Sequence, residues 1–177
     1  SPPCNSWSTL AYVAHSRDPK TLKPLKPVAV LGEKLVNKSI QIINYYLKKN
    51  PKLLWVIENP KAMLRKWNKM KKYQLSMTTY CAYNFPYVKP TDFFNNFPDG
   101  IKLKDPVCKK KTYPIASSKG PQIKREVLYR VPPKLVGDIL TQFKKQYGRI
   151  KGKEKKDYNK DATVKKFGAK KGHCPPK

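Results

Sequence analysis

Apolar positions along this chain change their spacing several times, and each change marks an element. In "GEKLVNKSIQIINYYLKKN", Leu35, Ile40, Ile43 and Leu47 recur at roughly helical spacing, which predicts a helix beginning near Gly32. Pro51 ends it, and Lys48 and Lys49 suit the negative C-terminal end of its dipole. Leu53 to Ile57 follows as an unbroken apolar run of strand length, stopped at Glu58-Asn59-Pro60. A run without alternation suits a strand covered on both faces, as in a parallel sheet under helices. A helix leading directly into such a strand is half of a βαβ unit, so the expected class is α/β.

"KAMLRKWNKMKKY" predicts a short basic helix carrying Met63, Leu64, Trp67 and Met70. "QLSMTTYCAYNF" alternates and is rich in β-formers, which predicts a second strand. From Pro86 to about Lys124 the chain reads as loop. Order resumes in "REVLYRVPPKLVGDILTQFKKQYG": a short strand or turn, then a helix from Pro132-Pro133 with Leu135, Val136, Ile139, Leu140 and Phe143 on one face. Beyond Lys144 the apolar period fades among Lys, Gly and Asp, so the tail is expected to be disordered until it meets a partner. At the other end, residues 1–9 read as a tight polar loop in which Pro2 and Pro3 restrict the backbone before Cys4. "RDPKTLKPLKPVAVLGEKL" is expected to be exposed and irregular.

The 177 residues suffice for one core. Charge adds a partner to this picture. Lys and Arg number 39 against 11 Asp and Glu, a net charge of +28. So basic a chain is expected to bind a polyanion, nucleic acid being the usual one, although charge carries no sequence specificity. No apolar run approaches the roughly 20 residues that cross a bilayer, and no secretory signal pattern is present. The expectation is an intracellular protein, or one packaged in a virion, with no membrane partner. Cys4, Cys81, Cys108 and Cys174 lie far apart, so no disulfide is expected in a reducing compartment. Neither the cysteines nor His15 and His173 have the spacing of a metal site, and none is expected.

Two residues stand out chemically. Cys4 follows Pro-Pro, and Glu58 sits at the end of a buried strand, the edge at which open α/β sheets bind ligands. "SPPC" with a nearby "SWS", a helix, and an apolar strand ending "ENP" resembles the central part of the DNA cytosine-5 methyltransferase family. The resemblance is to its small branch from phages and large DNA viruses, and continues in "TTYCAYNFPYVKPTDFFNN" (Thr78 to Asn96) and "VPPKLVGDIL". It spans roughly residues 1–12 and 30–143.

The resemblance implies a partial doubly wound, Rossmann-like methyltransferase sheet with a loop-rich insertion and a basic tail. Residues 1–85 would be the catalytic half, 86–124 would lie where the family places target recognition, 125–143 would close the fold, and 144–177 would be the Lys-rich tail. It implies Cys4 as the covalent nucleophile, active as thiolate. It implies Glu58 as the carboxylate that hydrogen-bonds the ring N3 and exocyclic amine of a cytosine flipped out of the duplex. Pro3, Asn59 and Pro60 would shape the loops that hold them. The implied partner is double-stranded DNA, and the basic side chains Lys61, Arg65, Lys66, Lys69, Lys71, Lys72 and Lys89 are candidates for the surface that meets it. The implied methyl donor is S-adenosylmethionine, yet no Phe-x-Gly-x-Gly segment for it occurs in these residues. Three readings follow: an active methyltransferase whose donor-binding part lies outside this sequence, a basic nucleic-acid-binding or virion protein derived from one, or a catalytic half docked on a cofactor-binding partner chain.

Overall fold

The computed structural model describes residues 2–108, 127 and 129–167, apart from the side chains of residues 10, 12 and 153–167. The chain divides into two compact units, residues 1–140 and 141–177. In the first, a 3-10 turn at Cys4–Ser6 leads into α1 (Thr9–Val13) and then α2 (Pro27–Lys49). Strands β1 (Val56–Pro60), β2 (Gln74–Thr79) and β3 (Pro90–Asn95) follow, with α3 (Asn68–Lys71) before β2. The last helix, α4 (Pro133–Phe167), starts in the first unit.

Helix α2 begins five residues before the expected Gly32, because Pro27 fits its first turn and Ala29, Gly32 and Val36 extend the buried stripe backwards. The expected helix over 61–73 is instead a 3-10 turn, Leu64–Lys66, and the one-turn α3. The fold is mixed α and β, as expected, but its sheet is not parallel. Its order is β1-β3-β2, with β3 antiparallel to both neighbours, so β1 and β2 point the same way on either side of it. The apolar run before Glu58 reflects burial on both faces, and that pattern does not encode the direction of the neighbouring strand. Ile57 and Phe94 join one core cluster with Trp7, Val36 and Trp55. Phe93 and Val56 pack in the other, with Tyr80, Tyr87 and Leu135.

β3, the central strand, lies inside the segment expected to be loop. Its Pro90, Thr91 and Asp92 disguise it, yet Thr91 and Asp92 are fully buried. The strand expected over 74–85 stops at Thr79, where the chain turns into a 3-10 segment, Tyr80–Tyr83, ended by Asn84 in the left-handed region (φ 60°). The tail expected to be disordered is helical as far as Phe167. Lys, Gln and Glu favour helix without any packing partner, so fading apolar period signalled lost burial rather than lost helix. Cys81 and Cys108 form a disulfide, their Cα atoms 5.2 Å apart, against the expectation of none. Tertiary folding brings together two cysteines that are remote in sequence, and spacing alone could not reveal that. Residues 109–126, 128 and 168–177, including parts of the expected loop and tail, lie outside the described residues.

Candidate functional site

The Cys4 turn is fastened from below. Trp7 and Ser8 both donate their backbone N–H to the Cys4 carbonyl, each at 2.9 Å. Trp7 is fully buried, and its ring Nε1 donates to the Gly32 carbonyl of α2 at 3.4 Å. Gly32 is needed there: a Cβ at this position would stand 1.9 Å from the Ser6 hydroxyl oxygen. The guanidinium of Arg17, only 1% exposed, completes the fastening. It donates to the carbonyls of Ser6 (2.9 Å), Leu22 (3.0 Å) and Ala29 (2.7 Å), and its carbon lies 3.5 Å above the Trp7 ring. Glu33 pairs with it at 3.4 Å. Burial lowers the Arg17 pKa, and the Glu33 contact opposes that. No motif or apolar period marks Arg17 in the sequence. The available signal was an arginine in a lysine-rich stretch, since only the planar fork can serve several carbonyls at once.

Glu58 sits on β1, half-buried, and accepts a hydrogen bond from the Tyr80 hydroxyl at 3.1 Å. Tyr80 is fully buried at the start of the 3-10 segment after β2, and its backbone N–H donates to the Lys89 carbonyl at 3.2 Å. The Lys89 ammonium lies 4.8 Å from the centre of the Tyr80 ring. Burial, then the Glu58 charge, raises the Tyr80 phenol far above the ordinary tyrosine range. The same two causes, in the same order, push Tyr87 up to about 12.

Cys4 belongs to the same neighbourhood. Its thiol is free and partly buried. Burial raises its pKa most, the Lys89 ammonium pulls it down, and the Glu58 carboxylate pushes it up. The charges of Lys89 and Glu58, on segments remote in sequence, therefore both bear on the Cys4 thiol. No family model, curated protein or solved structure matches this chain.

The other expected residues are placed variously. Pro3 is exposed and caps the Cys4 turn with extended backbone. Asn59 is wholly buried, and neither atom of its carboxamide has a hydrogen-bond partner among the described residues. Pro60 ends β1 opposite Thr91, and Lys61 N–H continues the ladder to the Pro90 carbonyl at 2.9 Å. Arg65 is committed to Asp92: its Nε donates to one carboxylate oxygen at 2.8 Å and its Nη2 to the other. This pair ties the turn after Glu58-Asn59-Pro60 to the central strand. Lys61, Lys66, Lys69, Lys71 and Lys72 are exposed. Lys69 donates to Asn37 at 3.0 Å and lies 5.1 Å from the Trp67 ring centre, and Lys72 stands at the same distance from Tyr73. Lys89, expected on the DNA surface, sits over the Tyr80 ring, and its charge bears on the Cys4 thiol. No helix among the described residues is long and apolar enough to cross a membrane.

Chemically, the arrangement offers a free thiol whose thiolate is disfavoured chiefly by burial and supported by the Lys89 charge. It also offers a carboxylate that accepts a hydrogen bond from a buried phenol.

Proposed function

We propose that these residues form the catalytic half of a DNA cytosine-5 methyltransferase. The observation that carries this reading is that the segment after Glu58 is tied to the Cys4 turn, Met63 N–H donating to the Trp7 carbonyl at 3.1 Å, and that the Glu58 charge bears on the Cys4 thiol although 53 positions lie between the two residues. In this reading the Cys4 thiolate adds to C6 of a flipped cytosine. The C5–C6 π electrons move toward C5, and the ring becomes enamine-like there. Glu58 binds N3 and the exocyclic amine and supports the charge that develops on the ring. Lys89 stabilises the thiolate, and the exposed lysines after β1 meet phosphates. The three strands described are antiparallel throughout, so a doubly wound sheet would require parallel strands from elsewhere.

S-adenosylmethionine does not fit the residues present. Its cradle needs a glycine-rich turn between a strand and a helix. Of the described glycines, Gly32, Gly137, Gly148 and Gly152 lie within helices and Gly100 in a turn after β3. The 177 residues by themselves should not transfer methyl groups. Donor binding would come from residues outside this sequence or from a partner chain. A second reading, a basic nucleic-acid-binding or virion protein descended from such an enzyme, is favoured by the +28 charge.

The test is protection of Cys4 from alkylation. A duplex with an extrahelical cytosine should slow Cys4 labelling more than the same duplex with an extrahelical thymine. Equal protection by both would leave the second reading, and no protection by either would remove DNA from the site.

A further inference from the structure

Helix α2 carries more apolar surface than its own core covers. Ala29, Gly32 and Val36 face inward, with Ile40, Ile43 and Leu47 packed behind them. A second stripe runs beside this one at Val28, Leu31, Leu35, Ile42 and Tyr46, steps of three, four, seven and four residues that keep one face of a helix. It stays open to solvent: Leu31 is 56% exposed, Ile42 49% and Tyr46 53%. Scattered apolar residues on a surface are ordinary, but an aligned row over about five turns marks a contact surface. At its N-terminal end the stripe runs into a groove of about 510 Å3, in which Pro24, Leu25, Pro27 and Val30 meet Leu31.

The charge along this face has one sign. Lys34, Lys38 and Lys49 form an i, i+4, i+15 row along the outer border of the stripe, and Lys26 stands at the groove. The helix has a single acidic residue, Glu33, and it is paired with buried Arg17. An occupant must therefore satisfy apolar side chains and a cationic rim together. Nucleic acid would meet the lysines but leave the aliphatic row uncovered. A second copy would cover the row but would bring the same lysines and another +28. A concave groove accepts a protruding side chain, whereas a lipid surface calls for a convex one.

We propose that the outer face of α2 is the docking surface for an acidic amphipathic helix of a protein partner, its apolar row on Leu31, Leu35 and Ile42 and its carboxylates on Lys34 and Lys38. This mode is helix-on-face recognition with a charged border, in which apolar anchors supply affinity and the rim supplies orientation. The proposal does not depend on the methyl-transfer reading.

The probe is a fluorescein-labelled synthetic helix of 22 residues with Leu at core heptad positions and Glu at the flanks, beside a scrambled peptide of the same composition. Anisotropy titrations use the full 177-residue chain at moderate salt. The patterned helix should bind about ten-fold or more tightly than the scrambled one. Leu31→Glu/Leu35→Glu should remove that advantage, with circular dichroism unchanged because both positions are exposed. Amide exchange should slow in α2 when the patterned helix is bound. Equal binding of the two peptides would overturn the proposal, because charge alone would then explain it. So would a stripe-dependent dimer in sedimentation, stripe-dependent binding to phosphatidylserine vesicles in preference to the peptide, or a longer natural chain whose own residues already protect α2.

Discussion

Replacing Arg65 with Met is expected to cost this small protein much of its stability. Asp92 is fully buried on the central strand, and Arg65, its side chain only 25% exposed, supplies two N–H donors to the two carboxylate oxygens. Removing the arginine strands a carboxylate in the interior, a change that costs about 3–5 kcal/mol where one partner of a buried pair is deleted. An exposed ion pair would lose only about 0–1 kcal/mol. Against a total of roughly 5–15 kcal/mol for a domain, the buried case moves a urea midpoint far and the exposed case barely does. Arg65→Lys keeps the charge and loses the fork, so it should fall between the two. Arg65→Met/Asp92→Leu removes both charges and should recover most of the loss, since a buried pair can be exchanged for apolar packing at little cost. The assay is urea unfolding followed by circular dichroism for all variants. A single-variant loss below 1 kcal/mol, or a double variant no better than Arg65→Met, would refute the reasoning.

Gly32→Ala should destabilise by about 1–3 kcal/mol through the clash with Ser6, and Ser6→Ala should relieve part of it; simple additivity in thermal melts would contradict the contact. Iodoacetamide labelling of Cys4 against pH, read by peptide mass, should give a midpoint above the ordinary thiol value. Lys89→Met should move that midpoint up and Glu58→Gln should move it down, and a reversal of either direction would contradict the shared neighbourhood. Alkaline stability should fall from about pH 10 upward. In the unfolded chain Tyr80 and Tyr87 ionise at their ordinary value, while their folded pKa values are raised, Tyr87 to about 12. Stability contributed by these protonated phenols is present below the unfolded value and lost as pH rises towards the folded one. A flat unfolding midpoint between pH 9 and 11, with tyrosinate absorbance followed in parallel, would count against it.

What could be read from the sequence follows from what periodicity encodes. Helix α2, the start of α4 and the buried nature of the chain before Glu58 were legible because each depends on one face meeting a core. The direction of the neighbouring strands depends on the partner and was not legible. β3 was missed because its buried Thr91 and Asp92 look like loop residues until Arg65 is seen to neutralise the aspartate. Tail helicity beyond Lys144 was missed because a helix can persist on propensity after its apolar stripe ends. In the site, Cys4, Glu58 and Lys89 were all named. Their mutual effect was hidden, since it arises from the Arg17-fastened turn and from Tyr80, which no local pattern distinguishes.

The central claim is that Cys4 adds to cytosine, and the most direct measurement needs no methyl donor. Addition of the thiolate to C6 lets C5 take a solvent proton; loss of the original C5 hydrogen and expulsion of the thiolate then restore the ring. DNA carrying tritium at cytosine C5 should therefore release it to water in the presence of these 177 residues. Cys4→Ser should abolish the release, and Glu58→Gln should slow it by about ten-fold or more, as for other preorganised charge-stabilising contacts. Binding of the duplex with no tritium release above the Cys4→Ser background would contradict the account.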